Sequence, residues 1–126
     1  MAEKKALTVL ITGCSSGFGN LTAETLAREG HRVFATMREV HGKNAEPAKD
    51  LLAWAERGGV NIDVVEMDVT DEGSVNRGVK TIIDAASAID VVVNNAGIDA
   101  AGIQEAFTIE QVKAIFDLNA FGPLRV

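Results

Sequence analysis

Tyrosine is absent from these 126 residues. The chain has one cysteine, Cys14, two histidines, His31 and His41, two prolines and one tryptophan, and aromatic residues make up only 5%. A single thiol forms no intrachain disulfide and no thiolate metal cluster. Two isolated histidines make a poor metal site. Positive charge is also short. Twelve basic residues face 18 acidic ones, leaving a net charge of −6 and a pI near 4.8. That balance argues against a nucleic-acid partner, because phosphate binding needs a surplus of Lys and Arg. No apolar run is long. The one behind the charged start Met1-Ala2-Glu3-Lys4-Lys5 extends only from Ala6 to Ile11. A secretory signal needs more, and a membrane span needs about 20 apolar residues. The expectation is a cytoplasmic protein with no targeting segment and no membrane partner.

What is present suits one folded domain. Hydrophobic content is 47%, charged content 24% and mean hydropathy +0.12. There is material for a core, and a disordered tail is excluded. The length leaves no room for a second domain.

Strand and helix signals alternate. Residues 7–12 read as a strand buried on both faces. A glycine-rich turn, Gly13 to Gly19, follows, and the pattern is helical from Phe18 to Glu29, with Gly30 as the stop. Gly19, Ala23 and Ala27 put small residues on one stripe of that helix, so it can lie close against a sheet. Residues 32–37 form a second strand. After a polar loop, Pro47 suits the first turn of a helix to about Arg57, ended by Gly58-Gly59. Residues 60–67 are a third strand. Thr70 or Asp71 can cap a helix to about Ser87. Residues 89–93 make a fourth strand. The last helix opens with Thr108 as N-cap and Gln111 three residues on, a capping box, with Phe107 placed to staple to Val112. There is no internal repeat and no linker. The class is α/β with a parallel sheet. Right-handed crossovers give strand order 3-2-1-4, and a ligand crevice opens between strands 1 and 4.

Four motifs sit at strand ends and a fifth lies in the last helix. Thr12-Gly13-Cys14-Ser15-Ser16-Gly17-Phe18-Gly19 has the G-x-x-x-G-x-G form between a strand and a helix. Its glycines let a phosphate approach the backbone, and the helix N-terminus offers free N–H groups to an anion. The second strand ends Thr36-Met37-Arg38, without the acid that would hold a ribose 2′-hydroxyl. An arginine there suits a 2′-phosphate. It could also be a surface residue paired with Glu39. Asp68-Val69 ends strand three, where the carboxylate could accept from an adenine amino group or cap the next helix. Asn94-Asn95-Ala96-Gly97 follows strand four and suits a ligand-facing turn or a structural Asx turn. Asn119 lies inside the final helix, four residues before Pro123, which has no N–H to bond its carbonyl. A kink is expected there, and the free carbonyl faces water or a ligand network.

Together, in this order, the five motifs resemble the short-chain dehydrogenase/reductase family over essentially the whole chain. The resemblance covers about the first half of the family's domain. It implies a Rossmann-type doubly wound parallel sheet, incomplete here, that binds a nicotinamide dinucleotide. It places Gly13, Gly17 and Gly19 at the pyrophosphate, Phe18 in the same loop, and Ser15 and Ser16 at phosphate or ribose. Arg38 stands as in members that prefer NADP(H), so NAD(H) is the weaker expectation. Asp68 and Val69 flank the adenine, and Asn94, Ala96 and Gly97 sit beside the ribose. Asn119 matches the asparagine of the catalytic tetrad, which holds a water in a proton relay.

The family's remaining catalytic groups are a serine after the fifth strand and a Tyr-x-x-x-Lys on the next helix. Residues 1–126 read as a dinucleotide-binding domain truncated before both. The expectation is therefore the cofactor-binding part of an NADP(H)-dependent carbonyl/alcohol oxidoreductase, inactive by itself, acting on a small-molecule substrate. The competing readings are a non-catalytic dinucleotide-binding module or degenerate fragment, and a half-domain completed by another chain. An apolar edge at Val91-Val92-Val93 and a last helix carrying Val112, Ile115, Phe116 and Phe121 predict a homo-oligomer or other association.

Overall fold

The structure, a computed structural model, describes residues 5–126; Met1 to Lys4 of the charged start lie outside them. Four strands, β1 (Thr8–Ile11), β2 (Arg32–Met37), β3 (Ile62–Glu66) and β4 (Val91–Val93), form one sheet. All neighbours are parallel and the order is β3-β2-β1-β4, as expected. The helices are α1 (Gly17–Arg28), α2 (Ala45–Gly58), α3 (Glu72–Ala86), α4 (Ile109–Phe116) and α5 (Gly122–Arg125).

Alternation along β1 builds two cores. Val9 and Ile11 point to the face where Ala23, Ala27, Ala48, Leu51 and Ala55 of α1 and α2 pack. Leu10 points the other way, with Phe34, towards Val75 and Ile82 of α3. Both faces of the sheet are thus covered, which is why strand one reads as a continuous apolar run. The buried residues of α1 are Gly19, Ala23 and Ala27, the stripe of small residues that lets this helix approach the sheet.

Element ends refine the sequence expectations. Asp71, not Thr70, caps α3, its carboxylate accepting from the Gly73 and Ser74 amides. The Thr108–Gln111 capping box is present in full. The last helix is interrupted: a π-helical turn, Asp117–Phe121, separates α4 from α5. The distortion expected near Pro123 takes this form, in which the Gly122 amide donates to the Asp117 carbonyl. β4 is an outer strand, and Val91 and Val92 are exposed, as are Phe116, Phe121 and Leu124 beyond it. Among the described residues no helix is long and apolar enough to cross a membrane.

Candidate functional site

The C-terminal tips of the strands carry the polar groups. Thr12, the residue after β1, is buried. Its hydroxyl accepts from the Asn95 amide at 3.0 Å and the Ala96 amide at 2.9 Å. The Asn95 side-chain Nδ2 donates back to the carbonyls of Thr12 (3.0 Å) and Gly13 (3.1 Å). Four hydrogen bonds therefore lock the glycine loop to the turn after β4. Space at this lock is minimal. A Cβ at Gly13, whose φ is +71°, would lie 2.8 Å from Ala96 Cα, and one at Gly19 would lie 2.3 Å from the Gly13 carbonyl oxygen.

The lock leaves the outer part of the loop open. Ser16 is the N-cap of α1, but its side chain makes no capping hydrogen bond. The first amides of α1 and the Ser15 and Ser16 hydroxyls are available to a ligand, and a helix N-terminus favours an anion.

A cleft of about 570 Å³ runs across these tips. Gly13, Ser15, Ser16 and Phe18 line one side, and Arg38, Lys43 and Asn44 line the end beyond β2. Met67, Asp68 and Val69 come from the tip of β3; Asn95, Ala96, Gly97 and Ile98 follow β4. A groove of similar size, about 520 Å³, lies along the outer edge of β3 between α2 and α3, away from the converging tips.

The Asp68 carboxylate accepts from the Thr70 amide (2.9 Å) and hydroxyl (2.7 Å). Partial burial opposes its ionisation, but the two Thr70 bonds and the nearby Arg38 and Arg125 charges outweigh this and hold its pKa below the ordinary aspartate value. Asp68 thus serves as a hydrogen-bond acceptor and does not cap α3, whose cap is Asp71. Arg38 and Glu39 form no ion pair, and the Glu39 backbone lies in the left-handed region at φ +52°.

Asn119 does not line the cleft. Its Oδ1 accepts from the Ile98 amide (2.9 Å) and its Nδ2 donates to the Ile98 carbonyl (2.8 Å). Both polar atoms are thus spent on fixing the loop after Gly97, while the adjacent Leu118 faces the cleft. Arg125 ties this region to β3, donating to the carbonyls of Val69 (3.0 Å) and Asp117 (3.3 Å) and pairing with the Asp117 carboxylate.

Nine predicted residues meet at the cleft: Gly13, Ser15, Ser16, Phe18, Arg38, Asp68, Val69, Ala96 and Gly97. Gly17 opens α1, Gly19 is buried beneath the loop, and Asn94 is exposed after β4, beside rather than in the lining. Sequence reasoning missed the Thr12–Asn95 lock and the presence of Lys43 and Asn44. The adjacent amides Asn94 and Asn95 carried the signal for the first, without saying which turns inward.

Cys14 belongs to the loop but not to the chemistry. It is fully buried and its Sγ donates to the Ile11 carbonyl at 3.3 Å. Burial pushes the thiol pKa up to about 12, against a smaller opposing effect of the Thr36 backbone. The thiolate is the reactive form. At pH 8 the native protein should therefore resist a thiol-specific disulfide reagent, whereas the denatured chain should take up one label. Rapid native labelling, followed by absorbance, would contradict this packing.

A family model described as short chain dehydrogenase matches residues 7–126. A 3-ketodihydrosphingosine reductase of Bacteroides thetaiotaomicron is 39% identical over 114 residues, 90% of this chain and 37% of that protein. Human retinol dehydrogenase 8 is 36% identical over 122 residues, 94% of this chain and 37% of that protein. An actinorhodin polyketide ketoreductase variant, solved with NADPH, superposes with a TM-score of 0.86 at 30% identity, covering 100% of this chain and 46% of that one. The chain spans less than half the length of each.

Proposed function

The chain belongs to the short-chain dehydrogenase family of oxidoreductases, and on that footing we propose that it is the cofactor-binding part of an enzyme that interconverts a carbonyl and an alcohol with NADP(H), NAD(H) being the weaker ligand. The observation that carries the cofactor choice is Arg38. It lines the cleft at the tip of β2 without an ion pair, and the residue before it, Met37, is buried and apolar. An acid at that tip would repel a 2′-phosphate; a guanidinium attracts it with two parallel donors.

The cleft fits a dinucleotide. The Gly13–Gly19 approach leaves no room for a side chain between loop and helix, and the free Ser15 and Ser16 hydroxyls and α1 amides suit a pyrophosphate. Asp68 and Val69 suit the adenine, and Asn94, Ala96 and Gly97 the ribose side. Gly17 holds the turn and Phe18 walls it. When bound, the nicotinamide supplies or accepts a hydride. This chain's residues orient it, and Asn119 fixes the Gly97–Ile98 loop that closes the cleft. In this reading Asn119 is also the residue of the π-helical turn that belongs to the proton relay. In this reading the general acid, from a Tyr-x-x-x-Lys, and the substrate wall come from outside these 126 residues, and the exposed β4 edge and last helix are the surfaces for a homo-oligomer or other association.

The test is titration of the full-length protein with NADPH and NADH, followed by nicotinamide fluorescence. NADPH should bind about tenfold or more tightly than NADH. Equal dissociation constants would overturn the NADP(H) assignment, and failure to bind either would overturn the nucleotide reading.

A further inference from the structure

We propose that Lys43 is a second contact for the cofactor's 2′-phosphate, facing Arg38 across it, and so a determinant of cofactor choice. The inference rests on the reading of the cleft as an NADP(H) site. Lys43 belongs to the loop between β2 and α2, and it lines the same cleft as Arg38, Ser15 and Ser16. The loop holds a defined shape. The Glu39 carbonyl accepts from the Gly42 and Asn44 amides, both at 3.0 Å, and Asn44 Nδ2 donates to the Arg38 carbonyl at 2.7 Å. The residues on either side of Lys43 are thereby tied to the backbone of Arg38 and Glu39.

Charge gives the second argument. Acids outnumber bases by 18 to 12, yet neither Arg38 nor Lys43 has an ion pair among the described residues. The one carboxylate of the cleft, Asp68, feels Arg38 and already has its Thr70 donors and Arg125. Two cations held at one end of a cleft suit a dianion. The two side chains also divide the work: a guanidinium grips a phosphate edge in a fixed plane, and a flexible ammonium follows it as a point charge.

Lys43 is exposed, so Lys43→Gln should leave the fold intact, which thermal unfolding checks. The experiment titrates the full-length protein with NADPH, NADH and 2′,5′-ADP. Lys43→Gln should weaken NADPH and 2′,5′-ADP about 3- to 10-fold and leave NADH unchanged, and Lys43→Arg should restore most of the loss. Equal weakening of NADPH and NADH would place Lys43 at the pyrophosphate and overturn the proposal. So would no effect in Lys43→Gln where Arg38→Ala lowers the preference for NADPH, an outcome that leaves the NADP(H) reading standing. If neither variant alters the discrimination, that reading falls as well.

Discussion

Gly19→Ala is expected to destabilise the protein by about 3 kcal/mol and to abolish nucleotide binding. The added methyl would lie 2.3 Å from the Gly13 carbonyl oxygen, 2.9 Å from its carbon and 2.5 Å from Asn95 Nδ2. Asn95 could rotate aside, but only by giving up its bonds to Thr12 and Gly13. The Gly13 atoms are backbone and have no rotamer to change. Either α1 backs away from the sheet, opening the core around Ala23 and Ala27, or the lock between the glycine loop and the β4 turn breaks. Gly17 is the internal control. A Cβ there meets nothing within 4 Å, and only its φ of +59° opposes a side chain. Gly17→Ala should therefore cost only about 1 kcal/mol. Urea denaturation of the two variants, with NADPH titration beside it, makes the comparison. Equal losses at the two positions would show that crowding at Gly19 is not what the loop depends on.

Arg38→Ala should weaken NADPH about 10- to 100-fold while leaving NADH nearly unchanged, because a hydrogen bond to a charged phosphate contributes roughly 1.5–3 kcal/mol. The variant carries a second signature. Arg38 helps to hold the Asp68 pKa down, so its removal should shift that pKa upward. The effect is bounded, since the Thr70 amide and hydroxyl still donate to the carboxylate and Arg125 remains nearby. Calorimetric titration with both cofactors measures the first effect, and an NMR pH titration of the carboxylate the second. A parallel loss for NADPH and NADH would assign Arg38 to a part of the nucleotide that both share.

The architecture was legible because each face of the sheet writes its own pattern. The apolar run of β1 marks a strand covered on both sides, and Gly19, Ala23 and Ala27 mark the helix that lies on the sheet. The strand limits were drawn too wide: residues 60–67 were expected and Ile62–Glu66 are paired, since apolar content outlasts the ladder. In the cleft, the residues whose type carries the signal were readable. What escaped were contacts set by distance in space. Thr12 and Asn95 meet through β1–β4 pairing, and Lys43 reaches the cleft only because Glu39 reverses the chain. The π-helical turn was legible only as a disturbance, because a proline announces a missing donor without saying which register will absorb it.

The Thr12–Asn95 lock also orders events in time. β1 meets β2 after a short excursion: Leu7 and His31, at the foot of the two strands, are 24 positions apart. Its other side waits for a residue 83 positions away. Closing the longer loop costs about 1 kcal/mol more in chain entropy, and the partner must first exist. During synthesis β1, β2 and β3 can associate while the glycine loop still lacks its opposing wall. On the proposed reading of the glycine loop as a pyrophosphate cradle, that cradle is completed only after Asn95 has left the ribosome, later than the pairing of β1, β2 and β3.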